Sequence, residues 1–329
     1  MVDRQPISLP WYDENSIPGG RVKLKNFGSV PAPSSVPELI EVAQRIALAD
    51  GKVIGWRGQA HEAWKVEPGA ARRIHRPWNG VQPKWSRNVQ QMLDNLGVAR
   101  VPMGDSPRSR QGAIEEYLRQ LVREVRSSSS LSQPLVRASD LEVLTLLQHY
   151  GTATHLLDIS SNILVALWIA ATNESDKTGI IIAFSREAVT ELLPSDVSPT
   201  LWEHFAQIRS GRPAYWTPPT TTPRMTSQQG AFVISQIADQ PWGTVDVTST
   251  FVWNDHPGWN ERPGSDPSFD YTDVHSYFIA VTPELKKDFL TSTRTGVFGL
   301  NHATVYPDLP GFAESHRHSS EVPYVPPFD

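Results

Sequence analysis

Apolar residues recur at helical spacing in some stretches of this chain and bunch into short runs in others. Leu39, Val42, Ala43 and Ile46 fall on one face of a helix predicted over residues 36–49, with Gly51 closing it. Ile114, Tyr117, Leu118, Leu121, Val122 and Val125 form a second stripe at helical spacing, ended by a serine-rich break at 127–130. Another helix is expected around 86–96. Ser139 and Glu142 have capping-box spacing, so a helix starts at Asp140; it ends near His149, with Gly151 as C-cap. Ser160 and Ser161 are N-cap candidates for the apolar helix at 162–172, and Pro283 suits N1 of a helix running to about 292. Strands are expected at 53–56, 156–159, 179–184, 230–235 and 276–281. Shorter helical patterns lie at 186–193 and 199–208. Segments 60–85 and 211–223 read as loops, 238–274 as polar and aromatic with weak periodicity, and 303–311 as a short strand and turn before a helix stub.

Strands and helices alternate without a regular βαβ rhythm, which favours an α+β fold. Residues 1–35 are Pro- and Gly-rich and read as a surface arm, 36–315 as one domain and 316–329 as a Pro-rich tail. The 28 prolines and 21 glycines are spread along the chain, which argues for one loop-rich domain and against two domains on a tether.

With 329 residues, 39% of them hydrophobic, the chain can bury a substantial core. It has no cysteine, which excludes a structural disulfide, a Cys-based zinc site and a Cys nucleophile. The net charge of -5 disfavours a protein that wraps duplex nucleic acid, though a local basic cluster can still bind phosphate. The first ten residues lack the apolar core of a signal peptide. The longest apolar run, 163–171, is far short of the roughly 20 residues a membrane helix needs. The expectation is a cytoplasmic protein that does not engage a membrane.

Two motifs stand out: Trp56-Arg57-Gly58-Gln59, followed by Arg72-Arg73, and the run from Gln148 through Thr154-His155-Leu156-Leu157-Asp158 to Ser160. Weaker echoes are Arg224…Gln228-Gln229-Gly230 and Val305-Tyr306-Pro307-Asp308. Together these resemble the FRG-domain family, named for its aromatic-Arg-Gly step. The family usually carries Pro-Thr-Arg before Leu-Leu-Asp, where this chain has Ala153-Thr154-His155; after that Asp it usually carries Trp-Thr, here Ile159-Ser160. Relatives of this kind look like bacterial toxins or anti-phage effectors, which would imply a macromolecular acceptor (protein or nucleic acid) and an antitoxin or activating partner.

The order of these segments also resembles the R-S-E layout of ADP-ribosyltransferases, which implies a split mixed or antiparallel β core ringed by helices, with NAD as substrate and no metal. Arg57 follows a strand, Ser160 opens an apolar helix, and Gln228 precedes a later strand where that layout carries an acidic or amide residue. On this reading Arg57, Asp158 and Gln228 are the catalytic candidates; Arg57, Gly58, Arg73, His149 and Ser160 contact the cofactor. A guanidinium grips phosphate in a bidentate way. Breaking the nicotinamide–ribose bond builds positive charge at C1′, which a carboxylate stabilises. Gln228 supplies no charge, so Asp158 and Asp308 are the carboxylate candidates.

Each residue also has a plainer role. Gly58 can serve backbone geometry alone, His149 the dipole of its helix, Ser160 an N-cap and Gln228 an ordinary loop. Asp158, an acid inside an apolar run, would need a partner such as Arg57 or Arg73. Arg72, Arg73 and Arg76 form a basic cluster whose default reading is a solvated face. Two other functions stay open: a nucleotide- or RNA-binding sensor without catalysis, and a nuclease-like toxin using His149, His155 and Asp158, although the histidines lack metal-ligand spacing.

Overall fold

A computed structural model describes residues 18–50, 53–75, 107–128, 138–186, 189–193, 197, 200, 213–219, 222–235 and 276–315. The helix expected at 86–96, nearly all of 199–208, the 238–274 segment and the 316–329 tail lie outside the described residues. The chain opens with a hairpin of β1 (Arg21–Leu24) and β2 (Gly28–Pro31), then α1 (Val36–Asp50), β3 (Val53–Gln59), α2 (Gly69–His75), α3 (Pro107–Ser127) and α4 (Asp140–His149). It continues through β4 (Leu156–Ser160), α5 (Ile163–Ala171), β5 (Gly179–Ser185), β6 (Thr190–Leu192), β7 (Ala214–Trp216), α6 (Pro223–Gln228) and β8 (Gly230–Ile234). It closes with β9 (Ser276–Val281), α7 (Pro283–Arg294), α8 (His302–Val305) and α9 (Leu309–Ser315).

Seven strands form one sheet in the order β6-β7-β8-β4-β3-β5-β9. Every neighbouring pair is antiparallel except β6 with β7, so the sheet is mixed and the fold is α+β. Strand β5, Gly-Ile-Ile-Ile-Ala-Phe-Ser, is buried along its whole length, as a continuous apolar run predicts for a strand covered on both faces. On one face Trp56, Ile181, Ala183 and Ile279 pack against Leu39 and Ile46 of α1, Ala166 and Ala170 of α5, and Leu285 and Phe289 of α7. On the other, Ile180, Ile182 and Phe278 meet the hairpin residues Leu24, Phe27 and Val30, with the Phe27 and Phe278 rings 4.9 Å apart. A third cluster joins Ile114 and Leu118 of α3 and Leu144 of α4 to Leu156, Phe232 and Trp216. Each such aliphatic or aromatic side chain contributes about 1.5–3 kcal/mol on burial.

The join between β3 and β4 is slight. They share only the pair Trp56↔Ser160, whereas β3 runs beside β5 from Val53↔Ser185 to Gln59↔Ile180, and β4 beside β8 from Leu156↔Ile234 to Ser160↔Gly230. The sheet therefore splays between β4 and β3, its fourth and fifth strands, and the candidate site opens at that parting.

Lys286 of α7 is 1% exposed. Its Nζ donates to the carbonyls of Ala60 (2.7 Å), Glu174 (2.7 Å) and Asn173 (3.2 Å), tying α7 to the ends of β3 and α5. Burial pushes this ammonium down to about 8, against the opposing pull of Glu174 and Asp176.

Several sequence expectations need correction. Arg57 sits within β3 and not after it. The presumed loops at 60–85 and 211–223 contain α2 and β7, and the helical pattern at 186–193 contains β6. Residues 302–305 are helical where a short strand was expected, and the helix stub expected after 311 begins at Leu309. The surface arm includes the hairpin, whose Leu24, Phe27 and Val30 are buried. The N-cap of α5 is Asn162, whose side chain accepts the Leu164 N–H at 2.9 Å, and neither Ser160 nor Ser161.

Candidate functional site

Two adjoining cavities flank the parting of β3 and β4, and Arg57, Gln148 and Asp158 line both. The first, ≈ 240 Å³, also takes in Arg224 and Gln228 of α6, His149 and Tyr306. The second, ≈ 530 Å³, adds Arg72 and Arg73 of α2. Four arginines from three separate elements thus converge on one region of an otherwise acidic chain.

The long middle motif is held together by hydrogen bonds among its own members. Ser139 caps α4 in the expected capping box, and Gly151, just past the C-cap Tyr150, takes the positive φ of 86° that its position requires. At the end of α4 the Gln148 amide donates to Asp158 Oδ1 at 2.7 Å, while its oxygen accepts the Thr154 hydroxyl. Thr154 Oγ1 in turn accepts the Leu156 N–H at 3.1 Å. The loop is braced from outside by Ala70, whose N–H donates to Thr154 O at 2.8 Å, and by the Tyr117 hydroxyl, which donates to Ala153 O at 3.0 Å. This chain fixes the direction of the Asp158 carboxylate. Asp158 is exposed, not buried as its apolar neighbours implied, because the parting of β3 and β4 leaves it uncovered.

The Arg57 guanidinium donates to the main-chain carbonyl of Asp158 at 2.8 Å, bridging the gap in the sheet. This is not the carboxylate ion pair considered from sequence. Its Nε is buried without a hydrogen-bond partner among the described residues. Burial lowers the guanidinium to about 10, with Asp158 opposing that shift and the charge of Arg72 adding to it. It stays cationic at neutral pH.

His149 Nε2 lies 3.0 Å from Asp308 Oδ2, and its Nδ1 lies 3.2 Å from Thr222 Oγ1. Thr222 Oγ1 also accepts the Met225 N–H as the N-cap of α6, so its own hydrogen is free to be donated to Nδ1. The proton of the neutral ring is then assigned to Nε2, facing Asp308. Burial holds the imidazole below its ordinary pKa, more strongly than Asp308 raises it, and Arg224 adds to the lowering. His149 thereby links the walls of the first cavity: α4, α6 and the loop of Tyr306 and Asp308. Asp308 Oδ1 also accepts the Gly311 N–H at 2.7 Å, so this carboxylate serves the framework.

Ser160 is buried and its Oγ is committed, donating to Gln228 O at 2.6 Å and accepting the Asn162 N–H at 3.0 Å. Gln228 lines the first cavity with its amide donated to Val305 O at 3.1 Å. A Cβ on Gly58 would lie 2.8 Å from the Ala166 carbonyl carbon and 3.1 Å from Ala170 N, so this glycine permits the close approach of β3 and α5. Arg73 lies in the second cavity with its guanidinium 5.8 Å from the Tyr117 ring centroid.

Sequence reasoning missed Arg224 and Tyr306 as site residues. The Arg224 guanidinium stands 4.6 Å from the Tyr306 ring centroid, and both line the first cavity. Burial raises the Tyr306 phenol above its usual value, against the lowering effect of Arg224. The signal was there, since both belong to the two weaker motif echoes. Among the described residues no group of three or more His, Asp or Glu is placed to hold a metal ion, and no helix is long and apolar enough to cross a membrane.

No curated protein and no solved structure matches the chain. Residues 52–179 match the family model of the FRG domain. That span runs from β3 to the first residue of β5 and holds Arg57, the braced motif and Asp158. Over residues 52–179, therefore, the chain is similar to the FRG domain.

Proposed function

We propose that the cleft binds NAD and transfers its ADP-ribosyl group to a macromolecular acceptor. The observation that carries this reading is the meeting of Arg57, Asp158 and Gln228, from three distant segments, at the parting of the sheet. Arg57 and Arg224 supply cations for a pyrophosphate, and Tyr306, Trp56 and Phe232 supply apolar and aromatic wall. The first cavity suits the nicotinamide–ribose half of the dinucleotide and is too small for the whole of it.

In the proposed reaction the C1′–N bond breaks and its electron pair goes to the pyridinium nitrogen, so nicotinamide leaves neutral. Positive charge grows at C1′ and the ring oxygen. The Asp158 carboxylate, aimed by Gln148 and still solvent-accessible, is the anion available to stabilise it. Asp308 is held by His149 and Gly311. An acceptor nucleophile then bonds to C1′ and loses its proton. A toxin or defence role, with an antitoxin or activating partner, fits this activity as a further proposal.

A second reading, a nucleotide-binding sensor without turnover, is favoured by Gln228. It brings no charge, and its amide is already engaged with Val305. Asp158→Asn separates the two. Under the transferase reading it keeps NAD binding, measured as a thermal shift, and lowers nicotinamide release by about 10²–10³-fold. NAD binding with no release from wild type in the presence of cell lysate would leave the sensor.

A further inference from the structure

The second cavity contains cations that the proposed transfer leaves unused. Arg72 and Arg73 are exposed on α2, and Arg57 stands between them and the first cavity. The neighbouring acids do little to neutralise them. Glu67 faces Lys65 at 3.7 Å, and Asp158 Oδ1 accepts from Gln148. Arg72 donates to the main-chain carbonyl of Glu67 at 3.1 Å, a contact that orients the guanidinium without cancelling its charge. Arg73 is steadied over Tyr117 in the same way. Arg72 also weakens the hold of Arg57 on its proton, so the two charges repel across the cavity. Cations ordered by neutral contacts around a concave space are preorganised for an anion, since little side-chain entropy remains to be lost on binding.

We propose that the second cavity is a phosphate subsite, with Arg72 and Arg73 as its own cations and Arg57 shared with the first cavity. Its ligand is a phosphate monoester or diester. Either the adenylate half of a dinucleotide or the backbone of a polynucleotide acceptor carries that group. The subsite goes beyond the transferase reading, because it requires no bond to break, and its test is one of binding.

The full chain is titrated at low ionic strength with ADP by calorimetry and with a short labelled single-stranded oligonucleotide by fluorescence anisotropy. Three variants accompany it: the double substitution Arg72→Ala with Arg73→Ala, the charge-retaining pair Arg72→Lys with Arg73→Lys, and Arg294→Ala as an exposed arginine outside both cavities. The expected result is a loss of about tenfold or more for at least one probe in the double alanine variant. The lysine pair should recover part of that affinity, and Arg294→Ala should stay within about twofold. Loss confined to ADP assigns the phosphate to the dinucleotide, and loss confined to the oligonucleotide assigns it to the acceptor. The proposal is overturned if wild type binds neither probe, or if the double variant loses no more than Arg294→Ala. Nicotinamide release, measured on the same proteins, reports separately on the transferase reading.

Discussion

Replacing Gly58 by alanine tests how the site is framed, and its magnitude follows from the structure. The new methyl would lie 2.8 Å from the Ala166 carbonyl carbon and closer still to its oxygen. Carbon atoms in ordinary contact stand about 3.5–4.0 Å apart. The clashing atoms belong to the backbone of α5, so no side-chain rotation relieves them; the helix must recede from β3. Overpacking of this kind costs about 1–3 kcal/mol, and a backbone clash belongs at the upper end. The gain from a less flexible unfolded chain is only about 0.4–1 kcal/mol, so destabilisation wins. A net loss of about 2 kcal/mol should lower the melting temperature of a chain this long by roughly 3 °C. Circular dichroism melts and urea titrations, with and without NAD, provide the assay. A melting temperature within about 1 °C of wild type, with ligand binding nonetheless lost, would refute the packing argument and restore Gly58 as a ligand contact.

The other predictions concern the framework. Lys286 has a folded-state pKa of about 8 against an ordinary value of 10.5, so between those values the unfolded chain binds more protons and stability should rise with pH. That component, about 3 kcal/mol in full, should be absent from the pH profile of Lys286→Met; equal slopes in the two proteins would contradict the assigned burial. Ser139→Ala removes the side-chain half of the α4 capping box, while the Ser139 N–H can still donate to Glu142, and should cost about 1 kcal/mol in urea unfolding, with an unchanged midpoint as the contrary result. His149 is held below its ordinary pKa, so acidification from about 6.5 downward should destabilise wild type more than His149→Gln. Parallel acid profiles would count against the assigned neutral ring.

Local signals carried much of the fold. The stripe of α3, the capping box at Ser139, Pro283 at the start of α7 and the apolar run of β5 each depend on residues close in sequence, and each element formed where expected. Three-residue strands such as β6 and β7 are too short to show a period and exist because a neighbouring strand pairs with them. α8 begins at a capping box of Asn301 and Thr304, which carries Thr at N3 where the usual sequence signature has Glu or Gln. The site was legible in its motifs but not in its contacts. Gln148 looked like part of a helix end, and nothing local says that it aims Asp158. The exposure of Asp158 and the bridging role of Arg57 both follow from the parting of β3 and β4, which is a tertiary feature. Arg224 and Tyr306 meet only because α6 and the loop after α8 fold onto the same cavity.

The central claim is that Arg57 works at the mouth of an NAD-cleaving cleft. The most direct measurement is nicotinamide release from NAD by the purified chain, with and without cell lysate, beside Arg57→Ala and Arg57→Lys. Release by wild type that falls at least about a hundredfold in both variants, with their melting curves still cooperative, is the predicted result. Release that persists in folded Arg57→Ala, or no release and no thermal shift by NAD under any condition, would contradict it.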